Sequence, residues 1–453
     1  MALEFHTYDD VMAYVRRFTD YERMVKVKPM APYGVSRMER LLEFLGRPEQ
    51  AFRAVHIAGT KGKGSTAAMV DAILRAAGLC SGLYTSPHVE HERERIQVDG
   101  QWISEPEIVR FISRMAPYLE QSLKDGETYA PTFFEIYTAL AFLQFVERRV
   151  DYGVLETGLG GRLDATNVCQ PVVCAITPIG FDHTDKLGET LDRIAWEKAG
   201  IIKDGVPVVC APQDRRAMNS IVAAVEGRGC RLVQVGADVR YKVHDADATG
   251  STVSVRTWRE AHERLRVPLA GEHQALNAAM AVGLVEILRD QSAAITAEHV
   301  RAGLAALRWP ARVEVLGTRP WVILDSAHNV PSALALRDAL EHLFPCRRRF
   351  FVLAMSQDKD VEGILRVLAP LMDMVVFTKT SNPRAAEPAD LAVRMAAVAP
   401  VASEVQADIQ RALDRALALV EPQDLLCVAG SFYLAGTARE ILSSLQAHKV
   451  QAR

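Results

Sequence analysis

A stretch of glycines and lysines between residues 59 and 66 has the composition of a loop that binds nucleotide phosphates. It follows an apolar run typical of a buried strand and precedes apolar positions that recur with helical spacing. Glycines in such a loop let backbone N–H groups point at phosphate oxygens, a lysine reaches the outer phosphates, and a hydroxyl contacts magnesium. The predicted phosphate-binding loop comprises Gly59, Thr60, Lys61, Gly62, Lys63, Gly64, Ser65 and Thr66.

The spacing of this loop departs from the usual G-x-x-x-x-G-K-[ST] pattern. Two residues instead of four separate Gly59 from Gly62, and Gly64 is inserted before Ser65. A glycine-rich turn between a strand and a helix can also be a close packing corner. By itself the loop therefore predicts a nucleotide phosphate site and leaves kinases and ATPases equally open.

Polar residues follow two other predicted strands of the same region. Glu156 ends the apolar run 152–155, where a carboxylate beside a phosphate loop is placed to hold magnesium; a capped turn is the alternative. His183 follows the strand predicted for 172–177. A loop histidine is most often a surface or hydrogen-bonding residue, and magnesium prefers oxygen, so the pattern alone gives His183 no metal role.

Lys198 occupies an unusual position on its predicted helix. It shares a spacing of i, i+3, i+4 and i+7 with Leu191, Ile194 and Ala195, which places it on the apolar face. Lysine is almost never buried without a partner. Either the side chain reaches past the apolar face to solvent, or it has a function inside the protein.

A second set of polar residues follows the strand predicted for 321–324. Asp325 and His328 come directly after it and could bind ribose or phosphate, whereas Asn329 is placed to cap the next helix. The surrounding pattern alternates strands and helices, which is typical of a parallel sheet covered on both faces.

The fold class predicted is α/β with two domains. Residues 1–307 are expected to form a nucleotide-binding P-loop domain with a parallel sheet and a small antiparallel sheet within 231–268, and 308–453 a C-terminal Rossmann-like domain. A turn is predicted over Lys28–Gly34, a helix over Glu189–Ala199 and four strands in the C-terminal domain. A chain of 453 residues exceeds what one core usually serves.

Composition excludes several classes of protein. Apolar residues make up 49% of the chain and charged residues 24%, with a net charge of -3, which gives no reason to expect nucleic acid or a membrane as partner. The seven cysteines are scattered and form no C-x-x-C pair. No signal peptide and no membrane span are predicted, so a cytoplasmic protein, with a monomer as the default, is expected.

Several separate motifs together resemble the folylpolyglutamate synthase and dihydrofolate synthase family, a branch of the Mur ligases. The likeness covers nearly the whole chain, and its most specific part is the long glycine motif from Glu156 to Asn167, which follows Leu155. The others are His56–Thr66, Tyr84–His88, Glu94–Ile96, Asp182–Asp185, Trp196–Ile201 and Asp325–Asn329. Two departures are Ala311 and Ser326, where the family pattern has glycine; they are expected to affect local backbone geometry.

The resemblance implies roles that the residues alone left open. It implies that Ser65, Glu156 and His183 bind magnesium and that Lys198 is carbamylated by carbon dioxide. It further implies that Lys63, Lys198 and His183 are catalytic. ATP contacts are implied for the loop and for Asn277, Arg312, Asp325 and His328, and a position near the pterin-bearing substrate for Thr85, Ser86, Pro87 and His88.

The implied reaction is an ATP-dependent ligation of L-glutamate to folate or dihydropteroate through an acyl phosphate. The sequence does not separate folylpolyglutamate synthase from dihydrofolate synthase activity. Two alternatives remain: a peptidoglycan Mur ligase acting on a UDP-sugar peptide, and a nucleotide-switched binding protein that makes no amide.

Overall fold

The computed structural model describes residues 5–24, 35–126 and 129–451. The turn predicted for Lys28–Gly34 lies outside them. Two long, mostly parallel sheets and one small antiparallel sheet organise the described chain. We call residues up to 307 the N-terminal part and those from 308 the C-terminal part.

The sheet of the N-terminal part carries the phosphate-binding loop. Its eight described strands are β1 Arg53–Ala58, β2 Ser81–Tyr84, β3 Ile96–Val98, β4 Gln101–Trp102, β5 Tyr152–Glu156, β6 Pro171–Ile176, β7 Val208–Cys210 and β8 Leu232–Gln234. They lie in the order β4-β3-β2-β5-β1-β6-β7-β8, with β3 and β4 antiparallel at one edge and the others parallel. Strand β1 is therefore central, between β5 and β6.

The antiparallel sheet is smaller than the sequence pattern predicts. It consists, among the described residues, of β9 Arg240–Asp247, β10 Gly250–Arg256 and β11 Ala261–Val267. Strand β8, from the predicted antiparallel segment, instead pairs in parallel with β7. Its half-buried pattern suits either sheet, and only the long-range pairing with β7 decides between them.

The C-terminal part contains six described strands: β12 Glu314–Thr318, β13 Trp321–Leu324, β14 Arg349–Leu353, β15 Met374–Phe377, β16 Ala402–Val405 and β17 Leu425–Ala429. Their order is β12-β13-β17-β14-β15-β16. The sequence predicted the four strands β13, β14, β15 and β17 and missed the two at the edges. Strand β16 is largely solvent-exposed and β12 is half-buried, so neither has the apolar run of a fully buried strand.

Helices cover the sheets. Those of the N-terminal part are α1 Tyr8–Val15, α2 Ser36–Leu45, α3 Lys63–Ala76, α4 Glu105–Asp125, α5 Phe133–Glu147, α6 Thr184–Leu187, α7 Leu191–Ala199, α8 Arg215–Glu226, α9 His273–Asp290 and α10 Ala297–Ala305. Those of the C-terminal part are α11 Val330–Leu343, α12 Val361–Leu368, α13 Pro388–Val398, α14 Ile409–Leu419 and α15 Phe432–Gln451. Helix α7 begins two residues after the predicted Glu189, because the chain is still extended at Thr190. No helix in the described ranges is long and apolar enough to cross a membrane.

The register of the parallel strands brings the predicted site residues to one edge. Ile57 pairs with Glu156 and Ala58 with Ile176, so β1, β5 and β6 end side by side. The loops that leave these ends necessarily meet at the carboxyl edge of the sheet.

Candidate active site

The phosphate-binding loop connects β1 to α3 and is closely packed. Gly62 caps α3 in a left-handed conformation with φ of 80°, and a Cβ there would lie 2.3 Å from Asn277 Oδ1. The amides of Thr60 and Lys61 both donate to the Pro178 carbonyl, which fixes the loop against the segment after β6. Only glycine fits at position 62, because both the backbone angle and the space require it.

Glu156 lies directly beside the loop. Its Oε1 is 3.7 Å from Lys63 Nζ, and its Oε2 accepts a hydrogen bond of 3.2 Å from the Ser86 amide. Burial raises the pKa of the carboxyl, while Lys63 opposes that rise. Ser65, on the first turn of α3, is buried in the same cavity. A buried carboxylate, an ammonium and a hydroxyl thus converge at the start of α3.

The Lys198 side chain contacts the phosphate-binding loop from the interior of the protein. Its side chain on α7 is buried, and Nζ donates to the Gly59 carbonyl oxygen at 2.7 Å. Burial, followed by repulsion from Lys63, lowers the pKa of Lys198 to about 7. The interpretation of a side chain reaching to solvent is therefore wrong.

His183 lies where the two parts of the chain meet. It has φ of 49° before α6, and its Nε2 is 3.4 Å from Lys359 Nζ of the C-terminal part. Burial, with the charge of Lys359 second, lowers the pKa of His183 to about 3. Lys359 also donates to Asp182 at 2.7 Å, and Asp182 accepts 2.8 Å from Asn329 Nδ2. Burial opposes the ionisation of Asp182, but His183 and Lys359 hold its pKa well below the usual range.

Asn329 performs two functions at once. Its Oδ1 caps α11 by accepting from the Ser332 amide at 2.9 Å, which is the capping role that the sequence allowed. Its amide nitrogen meanwhile reaches Asp182 in the N-terminal part. The cap and the contact between the parts thus use different ends of one side chain.

The half-buried Arg312 side chain lines the cavity from the C-terminal part, as the loop does from the N-terminal part. Its contacts are with neutral groups: the Ala311 carbonyl at 3.0 Å, the Ser326 hydroxyl, and the ring of Phe432 at 4.8 Å. Ala311 adopts φ of 53°, a conformation for which glycine is the usual residue. The two departures from the family pattern thus both lie next to Arg312, one as strained backbone and one as a hydrogen-bond partner.

Asp325 is buried and His328 is half-buried, and both line the same cavity as this arginine. Asp325 accepts from the amides of Val313 at 2.8 Å and Ala327 at 2.7 Å, and burial raises its pKa. His328 Nδ1 contacts the Ser326 carbonyl at 2.9 Å, so Nδ1 carries the proton and Nε2 is an acceptor. Burial lowers the pKa of His328 to about 4. Asp325 therefore organises the connecting backbone as well as facing the cavity.

The segment after β2 contributes fewer cavity residues than the sequence predicts. Ser86 and Pro87 line the cavity, whereas Thr85 and His88 lie behind them. His88 Nδ1 accepts from Arg95 Nε at 3.0 Å. Thr66 is likewise buried beneath the phosphate loop and does not line the cavity. These three residues support the cavity wall.

One cavity of about 690 Å³ joins the two parts. Its walls include the following predicted residues: Gly59, Thr60, Lys61, Gly62, Lys63, Gly64, Ser65, Glu156, His183, Lys198, Asn277, Arg312, Asp325 and His328. Sequence reasoning missed Lys359, Phe432 and Tyr433 as wall residues, and it quoted Asp182 only as part of a motif. Lys359 and Phe432 follow strands β14 and β17, so the rule of polar or large residues after strand ends could have found them.

Comparison with known proteins defines the class. The Mur ligase middle domain matches residues 57–285, and the Mur ligase glutamate ligase domain matches residues 311–432. The protein is thus an ATP-dependent ligase of the Mur type, and the alternative of a binding protein without ligase activity is wrong.

Two relatives identify the family of this chain within the Mur ligases. The dihydrofolate synthase/folylpolyglutamate synthase of Bacillus subtilis is 38% identical over 81% of this chain and 84% of its own. The enzyme of the same name from Mycobacterium tuberculosis is 34% identical over 90% of each chain. The chain therefore belongs to the folylpolyglutamate synthase and dihydrofolate synthase family, which confirms the resemblance found in the sequence.

Solved structures agree with this assignment. Mycobacterium tuberculosis folylpolyglutamate synthase complexed with ADP and AMPPCP has a TM-score of 0.86 and 33% identity, over 96% of this chain and 99% of that one. Escherichia coli FolC in complex with DHPP and ADP has a TM-score of 0.85 and 27% identity, over 97% and 99%. The α/β fold with two mostly parallel sheets is thus shared with these solved structures.

Proposed function

We propose that this enzyme ligates L-glutamate to a reduced folate, to dihydropteroate, or to both, at the expense of ATP. The observation that carries the proposal is the convergence of Lys63, Glu156 and Lys198 on one phosphate-binding loop, facing Arg312 across the cavity. Relatives whose structures contain ADP, AMPPCP or DHPP support the same substrates.

ATP is the substrate for which the loop and the opposing arginine are suited. Backbone amides of residues 59–66 at the N-terminus of α3 would bind the phosphates, with Lys63 at the outer end. Asn277 packs against Gly62, and Arg312 presents a guanidinium with neutral partners, so both can contact the nucleotide. Asp325 and His328 complete this wall from the C-terminal part.

Magnesium fits the donor set next to the loop. Ser65 and Glu156 supply hydroxyl and carboxylate oxygens, which are the donors that magnesium prefers. Glu156 is buried, and its nearest cation, Lys63, stays 3.7 Å away, so the carboxylate keeps capacity for a metal. His183 would complete the set. The ion would neutralise charge on the phosphates during transfer.

Lys198 has the properties required for carbamylation. Its amine is buried beside the loop with a pKa of about 7, so a substantial neutral fraction is present at physiological pH. Addition of carbon dioxide to the neutral amine forms the N–C bond of a carbamate and releases one proton. The resulting anion would replace a buried cation beside the predicted metal ligands.

The reaction proceeds in two steps. A carboxylate oxygen of the folate attacks the γ-phosphorus, and the bond from that phosphorus to the β–γ bridging oxygen breaks. The products of this step are ADP, which is the leaving group, and an acyl phosphate. The glutamate amine then attacks the acyl carbon, phosphate leaves, and the amine loses a proton. The loop amides, Lys63 and Arg312 stabilise negative charge in the first step, while the enclosing C-terminal part limits hydrolysis of the acyl phosphate.

The proposal also covers the domains of the protein, its oligomeric state and its location in the cell. We assign 1–307 as the ATP-binding domain and 308–453 as the glutamate-ligase domain, with Ser86 and Pro87 on the folate side of the cavity and Thr85 and His88 supporting them. A monomeric, cytoplasmic enzyme without nucleic acid or membrane partners is the accompanying proposal. The relatives named above argue against the alternative substrate, the UDP-sugar peptide of a peptidoglycan Mur ligase.

The test is a coupled ADP-release assay on the purified protein. Turnover should require magnesium, L-glutamate and either dihydropteroate or tetrahydrofolate together, and comparing the two pterins separates the synthase activities. Lys63→Ala serves as the inactive control. ATP turnover that is indifferent to both pterins would overturn the substrate assignment.

A further inference from the structure

The first turn of α15 contacts residues assigned to the nucleotide. The ring of Phe432 stacks on the Arg312 guanidinium at 4.8 Å, and its centroid is 5.3 Å from that of His328. Any shift of α15 along or away from the sheet therefore moves the wall around Arg312.

Helix α15 also contacts the segment that follows β2. We call residues 85–90 the Pro87 loop. Tyr433 meets the His88 ring edge to face with centroids 6.3 Å apart, and Arg439 Nη1 is 2.9 Å from Glu90 Oε1. Residues 432, 436 and 439 share one helix face, since they are spaced by four and three.

Gly436 makes the closest approach on this face. A Cβ at this position would lie 1.8 Å from the Val89 carbonyl oxygen and 2.7 Å from its carbon. Glycine inside a helix costs about 1 kcal/mol relative to alanine, so helix formation does not explain its presence. Direct contact between helix backbone and loop backbone does explain it.

The Pro87 loop lies between α15 and Glu156. On its far side the Ser86 amide donates to Glu156, while the amides of Val89, Glu90 and His91 all donate to the Glu94 carboxylate. The Pro87 loop is thus a compact unit held by the Glu94 carboxylate. A shift of α15 can therefore be transmitted through it to Ser86 and Pro87.

We propose that α15 couples the nucleotide wall to the Pro87 loop, with Gly436 as the positioning residue. When nucleotide orders Arg312 and His328, Phe432 and the rest of α15 are fixed, and the backbone contact at Gly436 fixes the loop for the folate substrate. This rests on the proposed function in one respect, the assignment of the loop to the folate side. By linkage, ATP must then tighten folate binding and folate must tighten ATP binding by the same factor.

The test measures dihydropteroate and tetrahydrofolate dissociation constants with and without AMPPCP and magnesium. For each pterin, the dissociation constant without AMPPCP is divided by the constant with AMPPCP. In the wild type this ratio should be at least about 5, in the usual range of coupling between sites. Gly436→Ala should bring that ratio to near one while leaving the AMPPCP dissociation constant without folate within about twofold. Alanine suits a helix better than glycine, so α15 itself is not weakened, while the added Cβ clashes with the Val89 carbonyl and displaces the Pro87 loop. Thr437→Ala, on the exposed side of α15, is the matched control and should keep the wild-type ratio.

A second variant covers the case in which Gly436→Ala does not fold. Glu90→Ala breaks only the ion pair with Arg439, whose partners are each about 30% exposed, and should lower the ratio at least twofold. A Gly436→Ala or Glu90→Ala protein with the wild-type ratio, or a wild-type ratio of one, overturns the coupling. Failure of the wild type to bind either pterin overturns the proposed function instead.

Discussion

Lys198 Nζ donates to the Gly59 carbonyl oxygen at 2.7 Å, and this contact joins a helix 139 positions away in sequence to the start of the phosphate loop. The lysine is buried on the apolar face of α7, where its amine has only a weak preference for the charged state near pH 7. The loop is therefore supported by a group whose charge can be changed by chemistry at neutral pH.

Lys198→Ala should reduce ligase activity by at least about 100-fold, because the variant lacks both the loop contact and the anion that carbamylation would supply. Short carboxylic acids added to the assay should restore part of the activity by occupying the vacated space. Lys203→Ala, which removes a nearby amine that donates to the Asn167 carbonyl, is the control and should stay within a few fold of wild type. Full activity of Lys198→Ala would exclude the carbamate.

Glu156→Gln should lower kcat by about 100-fold and raise the magnesium concentration required for half-maximal activity. The amide preserves the size of the side chain and can still accept from Ser86, but it removes the charge that magnesium and Lys63 need. A magnesium titration of ADP release measures both effects. Glu197→Gln, at a partly exposed ion pair with Arg162, should behave as wild type. An unchanged magnesium requirement in Glu156→Gln would contradict the metal assignment.

Lys359→Ala should lower kcat by about tenfold, which corresponds to about 1.4 kcal/mol of lost transition-state stabilisation. Lys359 and Asp182 are both about nine-tenths buried and form an ion pair that holds the two parts together beside His183. Nucleotide binding to the N-terminal part should remain within a few fold of wild type, as titration with AMPPCP would show. Arg394→Ala, which breaks an exposed pair with Glu362, tests whether ion-pair loss in general matters. Equal losses of kcat in Lys359→Ala and Arg394→Ala would contradict a specific role for the Lys359–Asp182 ion pair.

His56→Gln should reduce the loss of stability in acid. His56 is fully buried with Nε2 2.8 Å from Thr166 Oγ1, and burial lowers its pKa to about 3 from 6.5. Above pH 6.5 the imidazole is neutral in both states. Below it the unfolded chain binds a proton that the folded chain does not, so stability falls by about 1.4 kcal/mol per pH unit down to about pH 3.

Urea unfolding at pH 7.5, 6, 5 and 4.5 measures this contribution. The wild-type free energy of unfolding should fall more steeply than that of His56→Gln by about 1.4 kcal/mol per pH unit below pH 6. The other buried histidines titrate in both proteins and cancel in the comparison. Parallel curves would mean that the folded protein accepts the proton on His56.

The sequence by itself determined the elements whose signals are local. The buried strand β1, the glycines of the loop and the helix that follows are visible within residues 52–76, because strand and helix periods and glycine conformations depend on neighbours in the chain. The strand-end rule then identified Glu156, Asp325 and His328 as cavity residues. The placement of Lys198 on the apolar face of its helix was also visible from local spacing, and the structure confirms that this lysine is buried.

Only the tertiary structure decided which distant groups meet. The pairing of β8 with the parallel sheet, the ion pair of Lys359 with Asp182 and the contact of Gly436 with Val89 each join segments far apart in sequence. Exposed edge strands carry no apolar pattern, and a glycine within a helix gives no indication of what approaches it. These contacts follow from how two sheets and their helices pack together, which no local period of the sequence records.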